Sequence, residues 1–155
     1  MIAAMPTADR RTTNLKLDPT LDFLRLLWGI ENCLQSASKR MAASLGITGP
    51  QRLALLIVAR FPGVSPTEVA HLLRLHPSTI TGVLQRLVDK RLLSRDRHAT
   101  DRRRAHLHVR PAAAKFTQDN KGTVEAAVAR ALRRMPRSAV QRAREVLSAI
   151  IDELQ

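Results

Sequence analysis

Residues 65–109 read SPTEVAHLLRLHPSTITGVLQRLVDKRLLSRDRHATDRRRAHLHV, and this stretch decides the fold. It opens with Ser65-Pro-Thr-Glu68, in which an N-cap serine, a proline at N1 and a glutamate at N3 begin a short helix. Pro77 begins a second helix. Two apolar segments then flank a basic turn from His98 to Arg104. This order predicts a helix-turn-helix followed by a β-wing. The second helix carries an apolar stripe at helical spacing, formed by Ile80, Val83, Leu84 and Leu87.

The opposite face of the second helix carries short polar side chains. Glutamine can bond adenine at two atoms, arginine can bond guanine or a phosphate, and threonine methyls suit the thymine methyl. Gly82 would permit close approach of the helix backbone. We therefore predict that this face reads the major groove of double-stranded DNA, although it could be an ordinary solvated helix face. The candidate residues are Ser78, Thr79, Thr81, Gly82, Gln85 and Arg86.

The turn between the two apolar segments concentrates positive charge. Arg102, Arg103 and Arg104 are consecutive, and their mutual repulsion is unfavourable for stability unless a negative partner is present. A narrow minor groove is such a partner, because its negative potential attracts arginine. We expect Asp101 to orient one of these arginines through a salt bridge. A solvated run of charge is the alternative interpretation.

The flanking sequence predicts long helices around the winged segment. Periodic apolar residues indicate one helix from about Thr20 to Leu45, stopped by Gly46, and another from Pro111 to about Met135. A helix capped by Ser138 and Gln141 should follow Pro136. Its apolar residues alternate at spacings of three and four, which is typical of a seam that packs on another helix. These residues are Val140, Ala143, Leu147, Ile150 and Leu154.

These patterns predict a mainly α fold with a small β-wing, a winged helix-turn-helix flanked by long dimerisation helices. Residues 1–19 would form a flexible arm, residues 20–46 and 111–155 the dimerisation region, and residues 47–110 the DNA-binding region. Thr48 to Gln51 fits a capping box for the helix that precedes the two helices of the predicted helix-turn-helix. We expect Leu53 on that helix and Leu72 on the next to face the core.

Composition favours an acidic polymer as the partner. The 155 residues carry a formal net charge of +13. No apolar run approaches the ~20 residues of a membrane span, and the N-terminus lacks the apolar core of a signal peptide. A single cysteine suits the reducing cytoplasm. A non-specific nucleoid or RNA-binding protein is the alternative, but aromatic residues, which such proteins use for stacking, make up only 3% of the chain.

Nothing in the sequence indicates an enzyme or a cofactor. It lacks a glycine-rich phosphate loop and a cysteine–histidine pairing, and carboxylates are scarce. His106 and His108 have a spacing that could chelate a metal, but too few further ligands are near, so we expect no metal and an exposed wing face. Cys33 could be a redox switch, and we interpret it as a buried or interface thiol.

Two segments resemble the MarR family of bacterial transcription regulators. These are Ser78 to Leu87, running into Lys90 to Arg95, and Asp101 to Val109, which is similar to the family's wing. The resemblance extends from about Leu21 to Leu154. It implies a homodimeric repressor that a small aromatic anion releases from DNA, with Trp28 as a candidate for lining the ligand cleft. Packing in the core or the dimer is the alternative role for this tryptophan. A two-fold dimer predicts an inverted-repeat operator.

The sequence departs from the family pattern at two places. Arg91 stands where the family usually has glycine, at the turn from the recognition helix to the wing strand. If this position needs a positive φ, arginine costs about 1 kcal/mol there. Arg110-Pro111 replaces the threonine that usually follows the wing strand. Both changes affect local geometry and leave the candidate DNA contacts in place.

Overall fold

A computed structural model of the chain describes residues 16–97, 105–118 and 121–154. Residues up to Leu34 and residues from Gln35 onward form two compact units, and each is described by itself. A 3₁₀ turn spans Pro111–Ala113. The regular elements are α1 (Pro19–Leu45), α2 (Gly49–Arg60), α3 (Pro66–Leu73), α4 (Pro77–Asp89), β1 (Leu93–Arg97), β2 (Ala105–Val109), α5 (Ala114–Gln118), α6 (Val124–Leu132) and α7 (Arg137–Leu154).

Helix starts and stops follow the predicted local signals. Thr48 and Gln51 form a reciprocal capping box at the start of α2, and Ser65 and Glu68 form another at the start of α3. Gly46, directly after α1, has a φ of +76°, the left-handed conformation that glycine adopts without steric cost. The capping predictions for α2 and α3 are therefore confirmed.

The core of the second unit lies between α2, α3, α4 and the two-stranded sheet. Strands β1 and β2 are antiparallel, with Leu93 opposite Val109 and Arg97 opposite Ala105. The loop before α3 is hydrogen-bonded to β2, because the Gly63 amide donates to the Leu107 carbonyl and the Leu107 amide donates to the Val64 carbonyl. The predicted winged helix-turn-helix is thus confirmed. Its most deeply buried residues include Leu55, Val58, Val69, Ile80, Leu87, Leu93 and Leu107.

The predicted helix from Pro111 to Met135 is wrong in its continuity. The chain forms a 3₁₀ turn and the short α5, and then turns at Gly122, whose φ is +74°. Thr123 caps the new helix α6 by accepting from the Ala126 amide. A glycine in the left-handed region followed by an N-cap threonine breaks the helix, and this local signal outweighs the apolar periodicity.

Three smaller expectations also need correction. Helix α7 begins at Arg137, so Ser138 lies inside its first turn and is not the N-cap. Leu53 and Leu72, which were expected to face the core, are 46% and 51% exposed. Helical spacing identifies an apolar face, but it does not say whether that face meets the chain's own core or lies on its surface.

An ion pair between a buried arginine and a half-buried glutamate ties the winged region to the helices that follow it. Arg52 of α2 is 2% exposed, and its guanidinium donates to the Glu125 carboxylate of α6 and to the Phe116 carbonyl of α5. A buried arginine is costly unless its donors are bonded, and these contacts supply acceptors for Nε and for one of the two terminal nitrogens. The position of α5 and of the first turn of α6 is therefore fixed against α2.

Candidate nucleic-acid interface

Helix α4 is built to present one polar face. His76 caps it, with Nδ1 accepting from the Ser78 amide at 3.3 Å, and Pro77 occupies the first turn. Of the predicted stripe, Ile80, Leu84 and Leu87 are buried, and Val83 is half-buried. This stripe packs in the core of the winged region, and the remaining side of the helix is left to solvent.

All six predicted major-groove residues lie exposed on that side. At about 100° per residue they share an arc of roughly 160°. Two hydroxyl groups on this face have local partners. Thr81 Oγ1 donates to the Pro77 carbonyl at 2.8 Å, and Ser78 Oγ lies 2.7 Å from His76 Nδ1. These bonds orient the hydroxyl oxygens and leave them able to accept from a ligand. The exposed residues are Ser78, Thr79, Thr81, Gly82, Gln85 and Arg86.

The amide of Gln85 also has a partner on the same helix. Its Nε2 donates to Asp89 Oδ1 at 2.8 Å. Because Nε2 carries two hydrogens, this bond leaves one N–H and the carbonyl oxygen of the amide to bond other groups. The sequence analysis missed Asp89. The spacing of four residues between a glutamine and an aspartate on one helix was the signal that could have found it.

Arg95 is a further basic residue beside α4 that the sequence analysis did not select. It lies on β1 opposite Leu107 and lines a small crevice with Thr81 and Gln85. Paired residues of antiparallel strands project to the same face, so Arg95 lies on the sheet face that meets α4. Arg95 is two residues from the buried Leu93, and residues two apart in a strand lie on the same face, so this spacing was the available signal.

The base of the wing is described and its tip is not. Strands β1 and β2 form the predicted hairpin on either side of residues 98–104. The candidate wing residues lie outside the described residues, and their predicted roles stay predictions. They are Asp101, Arg102, Arg103 and Arg104.

The two wing histidines contact the loop before α3 and a neighbouring carboxylate. His106 Nδ1 lies 2.7 Å from the Gly63 carbonyl oxygen, and His108 Nε2 lies 3.7 Å from Asp96 Oδ2. Both residues are half-buried, whereas the sequence predicted an exposed wing face. Across the part of the chain that the structure describes, there is no group of three or more His, Cys, Asp or Glu side chains that could hold a metal.

Trp28 and Cys33 both belong to the first unit and lie on α1. Trp28 is 64% exposed, so this chain alone does not bury it in a core. Cys33 is exposed as well, and its interpretation as a buried thiol is wrong for the single chain. Their predicted roles at a ligand cleft and at an interface are not tested by these positions.

A cavity of about 680 Å³ lies in the second unit, between the end of α2 and α3. Phe61 and Leu72 supply apolar walls, and Glu68 and His71 supply polar groups. The cavity is open to solvent. Within the described residues, no single helix is long and apolar enough to cross a membrane, although α1 and α2 taken together as a bent pair pass that test of length and composition.

The exposed polar helix, its buried stripe and the hairpin beside it define a winged helix-turn-helix protein. Residues 45–104 match the model of the MarR family, which covers most of this winged region. Residues 45–104 are thus similar to the MarR family of transcription regulators, and the resemblance seen in the sequence is confirmed for this region. No curated protein matches the chain.

Solved structures share this fold over most of the chain. A MarR-family transcriptional regulator from Rhodococcus sp. RHA1 is 23% identical, with a TM-score of 0.66, covering 88% of this chain and 96% of its own. MepR of S. aureus, solved with DNA, is 15% identical, with a TM-score of 0.72 and coverages of 89% and 99%. CouR from Rhodococcus jostii RHA1, solved with p-coumaroyl-CoA, is 23% identical, with a TM-score of 0.70 and coverages of 88% and 96%. At these identities the likeness shows the fold.

Proposed function

We propose that this protein is a sequence-specific regulator that binds double-stranded DNA by placing α4 in the major groove. The observation that carries the proposal is the exposed polar face of α4, on which six candidate reading residues lie above a buried apolar stripe. Gln85 and Arg86 supply the side chains that bond base edges, and Arg95 on β1 supplies a cation for a neighbouring phosphate. The formal charge of +13 supports the choice of partner.

The wing is proposed to hold the protein on the flanking DNA. Arg102, Arg103 and Arg104 would contact the backbone or enter a narrow minor groove, and Asp101 would orient one of them. The MepR structure, which was solved with DNA, supports the capacity of this fold to bind DNA. A protein that acts on the chromosome in this way works in the cytoplasm.

We further propose that the protein is a homodimer that binds an inverted repeat. Helices α6 and α7 have no buried residues in the described chain. Exposed apolar residues on both helices require a cover, and a second copy supplies matching surfaces. Residues 20–46 and 111–155 would then form the dimerisation region, residues 47–110 the DNA-binding region and residues 1–19 an arm. The half-sites should be centred about 10 base pairs apart.

Regulation is proposed to be repression relieved by a small aromatic anion. CouR was solved with p-coumaroyl-CoA, which supports the capacity of this fold to hold an organic ligand. Trp28 is exposed on α1 and is available to line such a site. Titration of candidate aromatic acids against the DNA complex, followed by Trp28 fluorescence, tests this part.

Two variants test the DNA-binding proposal. Gln85→Ala should weaken the preferred site by roughly 1–3 kcal/mol and change non-specific binding little, because it removes a base contact and no charge. Arg103→Ala should weaken binding to all sequences and flatten the salt dependence by about one unit of slope, since one fewer counterion is released. Affinities of both variants for preferred and scrambled duplexes at several salt concentrations measure these effects.

The same measurements decide between this proposal and its alternative. A non-specific nucleoid or RNA-binding protein would show equal, sequence-independent losses for Gln85→Ala and Arg103→Ala. It would also fail to enrich any sequence from a randomised duplex library. Either result contradicts a sequence-reading regulator.

A further inference from the structure

An acidic side chain stands in the polar face of α4, among the residues proposed to meet DNA. Asp89 is the only acidic residue of the helix Pro77–Asp89, and it is exposed. At about 100° per residue it falls between Ser78 and Gly82 on the helical wheel. A carboxylate in this position opposes the phosphates and lowers affinity for any DNA.

Helix stability is a weak explanation for Asp89. A glutamine–aspartate bond at a spacing of four residues stabilises a helix slightly. Asp89 is also the last residue of α4, where a negative charge interacts unfavourably with the helix dipole. These two effects are small and opposite in sign. The contact with Gln85 therefore needs a reason beyond the stability of the helix.

We propose that Asp89 is a positioning residue that fixes the amide of Gln85 for base reading and makes binding more selective at the expense of affinity. This inference rests on the proposed function and adds a residue to it. The 2.8 Å bond from Gln85 Nε2 to Asp89 Oδ1 points the amide nitrogen toward the C-terminal end of α4. The flipped amide would place its carbonyl oxygen against the carboxylate, and the two would repel each other.

The bonded amide keeps the groups needed to read adenine. The second N–H of Nε2 is available for adenine N7, and Oε1 is available to accept from adenine N6. Because the amide cannot flip, these two groups are presented in a single order along the groove. The bond to Asp89 already restricts the Gln85 side chain in the free protein, so less side-chain entropy is lost when DNA binds. Asp89 thus sharpens the preference of Gln85 for one base.

The experiment uses the full chain and an operator found by selection from a randomised duplex library. The unchanged chain and Gln85→Ala are each tested in competition with duplexes in which one base pair of the half-site is changed. This comparison identifies the base pair at which Gln85→Ala abolishes the preference for one base. The preference at that base pair and the affinity for scrambled duplex are then measured for Asp89→Ala, Asp89→Asn and the double variant Gln85→Ala/Asp89→Ala. Urea unfolding of each variant monitors stability.

Asp89→Ala should lower the preference at this base pair roughly three- to tenfold, the part of a two-atom contact that ordering one glutamine can supply. It should raise the affinity for scrambled duplex several-fold, because a negative charge is lost from the binding face. Asp89→Asn keeps an acceptor for Gln85, so it should retain most of the preference while also binding scrambled duplex more tightly. In the Gln85→Ala background, removal of Asp89 should leave the preferences at the other base pairs of the half-site unchanged.

A matched control is present on another helix. Gln141 Nε2 donates to Glu145 Oε1 at 2.9 Å in α7, with the same spacing of four residues. Glu145→Ala removes the same kind of bond and the same charge, and it should leave the base preference unchanged. Its effect on scrambled duplex measures the contribution of net charge alone, which should be smaller than the effect of Asp89→Ala.

Three results would overturn the inference. If Asp89→Ala leaves the preference at the Gln85-dependent base pair unchanged, the bond has no role in reading. If Asp89→Ala lowers the preference at another base pair of the half-site, and does so equally in the Gln85→Ala background, Asp89 contacts a base itself, as a carboxylate can do with cytosine N4. If the selection enriches no sequence, the proposed function fails and this inference fails with it, whereas the first two results leave the proposed function standing.

Discussion

The winged region and the helices that follow it differ in the burial of their apolar residues. Between Ile47 and Leu107, apolar side chains converge on one buried core, and Leu55, Leu87 and Leu107 are fully or almost fully inaccessible. In α6 and α7 no residue is buried, although both helices are amphipathic. The first region thus completes its own core, whereas the second carries an apolar surface that this chain does not cover. The same chemical pattern therefore serves folding in one region and, in our proposal, assembly in the other.

Of the changes that test this difference between the two regions, removal of α7 should have the largest effect on solubility and folding. A chain that ends at Pro136 loses the apolar seam that includes Leu147 and leaves any partner surface uncovered. We expect aggregated or unfolded protein, measured by size-exclusion chromatography and circular dichroism. A soluble, folded monomer that binds the operator as tightly as the intact chain would show that the seam has no part in assembly.

A matched pair of leucine substitutions sharpens the comparison. Leu55 is 0% exposed, and Leu55→Ala should lower the free energy of unfolding by about 2–5 kcal/mol because it leaves a cavity in the core. Leu147 is 40% exposed, and Leu147→Ala should instead raise the dimer dissociation constant by about tenfold or more. A two-fold interface loses this side chain from both subunits. Urea unfolding measures the first effect and sedimentation equilibrium the second. A purely structural role for α7 would give Leu147→Ala no effect on dissociation.

The smallest expected effect concerns the turn between α4 and β1. Arg91 has a φ of +56°, so the condition named from the sequence holds and the arginine adopts the left-handed conformation. Arg91→Gly should stabilise the fold by about 0.5–1 kcal/mol, since relief of strain outweighs the extra freedom of glycine in the unfolded chain. Arg91→Ala removes the guanidinium but keeps the strain, so it is the matched control. Equal stabilities of the two variants in urea would show that strain at this turn is negligible.

Local signals predicted the winged region well because each of them is satisfied by nearby residues. The capping boxes at Thr48 and Ser65, the stripe of α4 and the pairing of the wing strands depend on short sequence windows. The exposure of Leu53 and Leu72 was not predictable in this way, because periodicity does not name the partner of an apolar face. The break at Gly122 was missed because periodic apolar residues were weighted above a turn glycine and its capping threonine.

The candidate site was predictable in its outline and not in its internal bonds. Residue type and spacing identified the exposed face of α4, but the bond from Gln85 to Asp89 depends on side-chain rotamers. Arg95 was overlooked because its importance comes from the packing of β1 beside α4, a contact between separate segments. Roles of individual residues in DNA binding remain predictions for the experiments above.

The contact between Arg52, Glu125 and the Phe116 carbonyl has a consequence for how the molecule opens. A local opening that separated α5 and α6 from α2 would remove the hydrogen-bond partners of the Arg52 guanidinium. Loss of the partners of a buried charge is among the more costly local changes in a small fold. Amide hydrogens of α2, α5 and the first turn of α6 should therefore exchange with solvent as one cooperative unit, at rates close to those of global unfolding. Any movement of α6 would then be transmitted to α2 as the displacement of a rigid body, rather than being absorbed by a loose joint.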